Sequence, residues 1–255
     1  MDSVILAHIS DLHIGQDQGD GGARALRRAR DVVERLNGLH GELDGVLVTG
    51  DLADHGLPEE YETVRELLAT LRFPVATCPG NHDERGAFRA GLLDEPQEDG
   101  PVNRVHRFGG YTVAMADSSI PGRDDGHLDD DTLTWLDKVL ADTDDPALVC
   151  FHHPPVKLGV PFVDGIRLTE PERLAEVVHA HDNVVAVLCG HAHTGATTTF
   201  AGRPLVVAPG VVSTVVLPFE STTVIDYGLP PAVAFHLFDD NAAHDRGLVT
   251  HFRSL

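Results

Sequence analysis

Short apolar runs alternate with amphipathic stretches along most of this chain. Residues 4–9, 45–49, 75–78, 147–151 and 184–189 are nearly continuous in Val, Leu, Ile and Ala. Runs of that length without polar alternation predict strands buried on both faces. Between them, residues 23–39 carry Leu26, Ala29, Val33 and Leu36 on one helical face. Residues 58–71 predict a second helix, with Pro58 in the first turn, where no N–H is needed. Residues 129–141 predict a third helix. Residues 170–180 predict a fourth, opened by Thr169-Glu170-Pro171-Glu172 in the pattern of a capping box.

Elsewhere the pattern is that of hairpins. Residues 104–108 and 111–116 flank Gly109-Gly110, a dipeptide suited to the positive-φ positions of a two-residue turn. From Thr197 onward only strand signals remain, at 197–200, 204–207, 211–216, 222–226, 232–237 and 248–253. Strand–helix units followed by hairpins predict an α/β fold with a two-sheet core and helices packed outside it. No repeat or linker divides the chain. Residues 1–255 read as a single domain with a β-rich C-terminal extension from about 211. The segment 155–168 is long, holds Gly and Pro, and reads as a lid or rim.

The chemistry stands where the buried strands end. The five apolar runs lead, in order, into Asp11-Leu12-His13, Gly50-Asp51, Gly80-Asn81-His82-Asp83, His152-His153-Pro154 and Gly190-His191-Ala192-His193. The carboxyl edge of an α/β sheet is where ligands bind. Carboxylate, amide oxygen and imidazole suit hard or borderline divalent cations, and no thiolate is among them. Asp-x-His and His-x-His would place two ligands on one side of an extended backbone. A pair of metals needs a bridging group. Asp51 is the natural one, because Gly50 lets the chain turn tightly before it. Each fragment alone is common by chance; all five, each after a buried strand, point to a metal site.

Charge narrows the partners. The chain has 40 acidic against 19 basic residues, a formal charge of −21. Such a surface repels nucleic acid and anionic lipid. The expected partner is a small molecule, with no nucleic acid and no membrane. Cys78, Cys150 and Cys189 each close an apolar run and read as buried free thiols. The chain opens on a strand-like run without a charged, signal-like segment, and no apolar run approaches the roughly 20 residues that span a bilayer. The expected location is cytoplasmic.

Together these motifs resemble the motif set of the calcineurin-like metallophosphoesterases. The resemblance implies a four-layer αββα sandwich and two divalent ions (Mn, Fe, Zn or Co). It implies that Asp11, His13, Asp51 and His193 hold one metal, and that Asp51, Asn81, His152 and His191 hold the other. In the family pattern the ligating histidine stands two before proline, which selects His152 over His153. His82 would contact the phosphate or the leaving oxygen. The catalytic residues are then His82 and Asp51, with a metal-activated hydroxide as nucleophile. His153 would orient a ligand. Asp83 would either orient His82 or cap the following helix. The remaining histidines, among them His8, His236 and His244, read as surface or structural.

Small departures narrow the substrate. Protein phosphatases of this superfamily resemble Gly-Asp-x-x-Asp-Arg-Gly and Gly-Asn-His-Glu. Here the residues are Gly50-Asp51-Leu52-Ala53-Asp54-His55-Gly56 and Gly80-Asn81-His82-Asp83. Purple acid phosphatases carry Tyr where Asp54 stands. The Gly-Asn-His-Asp form and the stretch from Asp117-Ser118-Ser119 to Trp135-Leu136 are similar to bacterial class III cyclic nucleotide phosphodiesterases. Glycerophosphodiesterases look almost the same at these motifs. The resemblance also favours a dimer or larger homo-oligomer. Phe162, Phe219 and Tyr227 are candidates to stack on a base, although core or interface packing is the commoner role of such residues. A non-catalytic protein-binding scaffold is the alternative from another class.

Overall fold

The computed structural model describes residues 3–239 and 247–255; His244 lies outside them. In chain order the N-terminal part comprises β1 (Ser3–Ile9), α1 (Ala23–Asn37), β2 (Gly45–Thr49), α2 (Pro58–Leu68), β3 (Val75–Cys78) and α3 (Arg85–Leu92). Then come β4 (Arg104–Phe108), β5 (Tyr111–Met115), α4 (Asp130–Ala141), β6 (Ala147–Cys150), α5 (Pro161–Gly165) and α6 (Pro171–Ala180). The last strands are β7 (Val184–Cys189), β8 (Ala196–Phe200), β9 (Arg203–Val207), β10 (Thr214–Val215), β11 (Ile225–Asp226), β12 (Ala232–Asp239) and β13 (Gly247–Ser254).

The continuous apolar runs form the parallel centres of two sheets. The first has the order β13-β12-β1-β2-β3, with β1 to β3 parallel and β12 antiparallel to β1. The second has the order β4-β5-β6-β7-β9-β8, parallel from β5 to β9 with antiparallel edges. Their inner faces pack together: Leu6, Leu47 and Phe238 meet Tyr111, Met115, Leu148 and Leu188. The outer face of the first sheet, with Ile9, Val46 and Val48, is covered by Val33, Leu36, Val64 and Phe88 from α1, α2 and α3. The outer face of the second, with Val149 and Val187, is covered by Leu136, Leu140, Leu174 and Val178. Both faces of the central strands are therefore buried, which is why those strands carry no polar alternation. The result is the expected αββα sandwich.

A polar seam crosses the inner face of the first sheet. Thr250, His236, His8 and Thr49 form a hydrogen-bonded chain over β13, β12, β1 and β2, with contacts of 2.9, 3.0 and 2.8 Å. The imidazoles of His8 and His236 are fully buried. Each ring is satisfied at both nitrogens, as buried polar groups require.

Some local expectations fail for identifiable reasons. Helix α3 holds two glycines and gives little helical signal. It forms because Glu84 caps it, accepting the N–H groups of Gly86 and Ala87 at 3.1 and 2.6 Å, and because Phe88 packs edge-on against Tyr61. The capping box at α6 does not form. Thr169 donates its hydroxyl to the Gly126 carbonyl at 2.8 Å instead, and Glu170 sits before the helix at φ 47°. The expected strands at 211–216 and 222–226 shrink to the two-residue pair β10–β11; Val211 and Val212 instead donate to the Ser10 and Asp11 carbonyls and accept from Arg28 and Arg24. The Gly109-Gly110 turn is as expected, with φ of 55° and 85°.

Candidate metal centre

All the predicted ligands sit in loops that leave β1, β2, β3, β6 and β7 at one edge of the two sheets. The backbone there is not extended. Asp11, His13, Asp51, His191 and His193 have φ of 59°, 45°, 51°, 68° and 48°. They are five of the eight non-glycine residues with positive φ among those described. Left-handed conformations of such residues store strain and cluster at functional sites. The two ligands of each short motif thus converge through left-handed turns, which corrects the expectation of an extended segment. Glycines allow the loops to touch: a Cβ on Gly80 would lie 2.2 Å from Asp51 Oδ1, and one on Gly50 would lie 2.4 Å from His152 Nδ1.

Two donor sets result. His13 Nε2 lies 3.2 Å from His193 Nε2, and His193 Nε2 lies 3.3 Å from Asp11 Oδ1. His152 Nε2 lies 3.2 Å from His191 Nδ1 and 4.0 Å from Asp11 Oδ1. Asp51 Oδ2 reaches both sets, at 3.5 Å from His13 Nε2 and 3.2 Å from His152 Nε2.

The outer nitrogens decide what the inner ones offer. His13 donates from Nδ1 to the Asp54 carboxylate at 2.8 Å, and His152 donates from Nδ1 to the Thr49 carbonyl at 2.7 Å. His193 Nδ1 contacts Ser213 Oγ at 2.7 Å. With Nδ1 donating outward, His13 and His152 each turn Nε2 to the centre, and His152 offers a lone pair there once a cation displaces the proton that Asp51 and Asp11 draw onto it. Asp11 Oδ1 and Asn81 Oδ1 are buried without a hydrogen-bond partner. Lone pairs and unpartnered oxygens converging on buried points call for positive charge.

Titration follows the same logic. Burial would raise Asp11, but His193 and His152 outweigh it and hold the carboxyl at about 2. Asp51 lies well below its ordinary value, where His152 and His13 overcome burial. Burial would lower His152, yet Asp51 and Asp11 lift it to about 9. Burial and the neighbouring His152 push His191 down to about 3, so its ring stays neutral.

A family model described as calcineurin-like phosphoesterase matches residues 5–195. The chain belongs to that family. A glycerophosphodiester phosphodiesterase of Enterobacter lignolyticus is 33% identical over 91% of this chain and 86% of its own length. A probable cyclic nucleotide phosphodiesterase of Rhodococcus erythropolis is 36% identical over 80% of this chain and 69% of its own. In fold, the chain is similar to a dimetal phosphatase from Danio rerio, with a TM-score of 0.67 at 17% identity over 98% of each chain. The paired metals that the family implies fit this phosphoesterase: the donors are oxygen and imidazole nitrogen, and unpartnered acceptors line the centre.

The other sequence candidates fall in place around these sets. His82 stands at the rim with its Nδ1 donating to the Asp54 carbonyl at 2.8 Å, its ring edge-on to His13. Asp83 neither orients His82 nor caps α3. It accepts the N–H groups of Gly80, Leu52 and Ala53 and the Tyr61 hydroxyl, which ties the β2 and β3 loops together. His153 contacts Ser118 Oγ through Nδ1 at 2.8 Å and packs beside His152 and His191. Asp54, Thr49 and Ser213 partner the rings of the predicted ligands, a role that the sequence context of Thr49 and Ser213 does not announce. For Asp54 a signal existed, three residues after Asp51.

A cavity of about 380 Å³ opens over the centre of this phosphoesterase, lined by His13, Asp51, Asn81, His82, His191 and His193 on the metal side. Its other walls come from the 155–168 segment and the β10–β11 hairpin. Among the described residues no lysine or arginine lines it. Nor is any described helix long and apolar enough to cross a membrane.

Proposed function

We propose that the chain is a binuclear-metal-dependent phosphodiesterase that hydrolyses 3',5'-cyclic nucleotides such as cAMP. The observation that carries this reading is the position of Asp51, whose Oδ2 reaches His13 Nε2 at 3.5 Å and His152 Nε2 at 3.2 Å. Asp11, His13 and His193 would hold one divalent ion with Asp51. Asn81, His152 and His191 would hold the second with the same carboxylate. Mn, Fe, Zn and Co all suit these donors. When bound, such ions lower the pKa of water and stabilise negative charge on phosphoryl oxygens.

The chain's own residues set the geometry. The His82 N–H holds Asp51 Oδ1 at 2.9 Å, which leaves Oδ2 turned inward. The Asp54 carbonyl takes Nδ1–H of His82, so Nε2 is the nitrogen left for the substrate. A protonated His82 would give its Nε2 proton to the leaving oxygen, as a general acid does. A diester carries one negative charge. A cavity that no described lysine or arginine lines suits it better than a polyanion.

The second reading is a glycerophosphodiesterase, favoured by the greater share of the chain that the Enterobacter relative covers. The test is turnover, with Mn supplied, of bis-p-nitrophenyl phosphate beside p-nitrophenyl phosphate, then of cAMP beside glycerophosphocholine. The expected result is diester preference, faster turnover of cAMP, and a loss of at least about a hundredfold in Asn81→Ala, in line with loss of a group that holds the metal. Preference for glycerophosphocholine would replace the first reading by the second. No turnover of any ester by fully metallated protein would leave the binding scaffold.

A further inference from the structure

The cavity has a second half that the metal chemistry does not use. Away from the predicted ligands its walls are Phe162 and Ile166 on one segment and Val215, Ile225 and Tyr227 on another. The remaining polar lining in that half is Gln16, Asp124 and Ser213, the last already bonded to His193. The two aromatic rings come from sequence positions 65 residues apart, and neither is spent on a core cluster. Phe162 is 53% exposed, so a ring covering it would gain apolar burial. Phe219, the third sequence candidate, is 84% exposed and lies outside the cavity lining.

The wall that carries Tyr227 is built to stay in place. Arg28, on α1, donates to the carbonyls of Val211 and Leu229 at 2.8 and 2.5 Å, pinning both ends of the hairpin. One helical turn earlier, Arg24 donates to the Val212 carbonyl and to Gln16, and its guanidinium lies 4.7 Å from the Tyr227 ring centroid. Arg24 is not part of the cavity lining, so its charge backs the ring rather than meeting the substrate. The wall that carries Phe162 is a single turn of helix. Asp164 holds it by accepting the N–H groups of Leu158 and Gly159 at 2.7 and 3.2 Å.

We infer that Phe162 and Tyr227 form an aromatic subsite that takes a planar, neutral ring of the substrate, of the nucleobase class, next to the phosphate site. This rests on the phosphodiesterase reading and adds to it which side of the substrate is recognised. A base presents two apolar faces to aromatic walls and a polar edge that Gln16 or Asp124 can meet, whereas a glycerol unit would use the polar groups and leave the Phe162 and Tyr227 rings uncovered. A quaternary ammonium also binds aromatic rings. Here the guanidinium of Arg24 already occupies one face of Tyr227 and opposes a second cation on the same ring.

The test is calorimetric titration of the manganese-loaded protein with AMP and with ribose 5-phosphate, which share a phosphorylated ribose and differ in the base. Stacking on an aromatic side chain contributes about 1–3 kcal/mol per base, or roughly tenfold or more in affinity. AMP should bind about tenfold more tightly than ribose 5-phosphate. The ratio should collapse towards one in Phe162→Ala, whose exposed site leaves the fold untouched, and return in Phe162→Tyr. Equal affinities in the unmodified protein, or a ratio that survives Phe162→Ala, would overturn the inference. So would tighter binding of phosphocholine than of AMP. Turnover of cAMP is measured separately: its absence beside an intact AMP preference would sink the cyclic-nucleotide reading while the aromatic subsite stood.

Discussion

Asp54 does two jobs with different atoms. Its carboxylate takes the Nδ1 proton of His13, and its main-chain oxygen takes that of His82. One residue therefore sets the tautomer of a predicted ligand and of the predicted acid. Groups that hold a ligating imidazole in this way typically change metal affinity by about 10–100-fold when removed. Asp54→Ala should weaken manganese binding by that factor in a calorimetric titration, with the far-ultraviolet circular dichroism unchanged. Unaltered affinity would reduce the contact to packing. At this scale the chemistry was largely visible beforehand. Asp11, His13, Asp51, Asn81, His152, His191 and His193 could be read because each follows a buried strand, and the structure brings them together. The groups that orient them could not. Thr49 acts on His152 through a carbonyl that every residue possesses. Ser213 reaches His193 from a loop 20 residues away.

At the scale of elements, the apolar runs mark the central strands closely, since burial on both faces leaves a strong trace. The outlying pieces were harder. Helix α3 depends on a cap and a tertiary contact rather than on periodicity, and Val211 and Val212 bond to the loop after β1 and to two arginines of α1 instead of extending β10. The polar seam on the first sheet was equally hidden, because isolated histidines in His8 and His236 announce no partner. It has a measurable consequence. Burial holds His236 at about 3, and burial with the facing His236 holds His8 far below its ordinary value against a weaker opposite pull from Asp11; Thr49 and Thr250 add no charge. The unfolded chain takes up these protons near pH 6.5, and the folded chain does not until much lower pH. Stability is thus complete above about pH 6.5 and falls as pH drops through that window. The unfolding free energy read from urea curves should decline from pH 7 to pH 4, with His236 contributing on the order of a few kcal/mol. A His8→Gln/His236→Gln variant, which keeps hydrogen-bonding groups without titrating, should decline less. An identical decline would assign the effect elsewhere.

For the whole molecule, two covered sheets present their loop edges to one centre, and that centre concentrates acceptor atoms in a chain of formal charge −21. A divalent cation that binds only the folded state stabilises it by mass action, about 2.7 kcal/mol at a hundredfold excess over Kd. For a chain of this size that corresponds to a rise in Tm of roughly 5–10 °C. Manganese added to chelator-treated protein should produce such a rise, and Asp51→Asn, which removes the shared carboxylate charge, should abolish most of it. A full rise in that variant would contradict a shared site.

The place of β12 in the first sheet has a further consequence. Strand β1, which delivers Asp11 and His13, is flanked by β2 on one side and by β12 on the other, with Ile5 paired to Leu237. During synthesis β1 leaves the ribosome more than two hundred residues before β12. Until β12 emerges β1 therefore carries an open edge, and closing that edge joins residues more than two hundred positions apart, a slow event for any chain. An open, apolar strand edge is a template for association with other chains. Yield on expression should thus depend on chaperone supply, and truncations that remove β12 should aggregate rather than leave a smaller working enzyme.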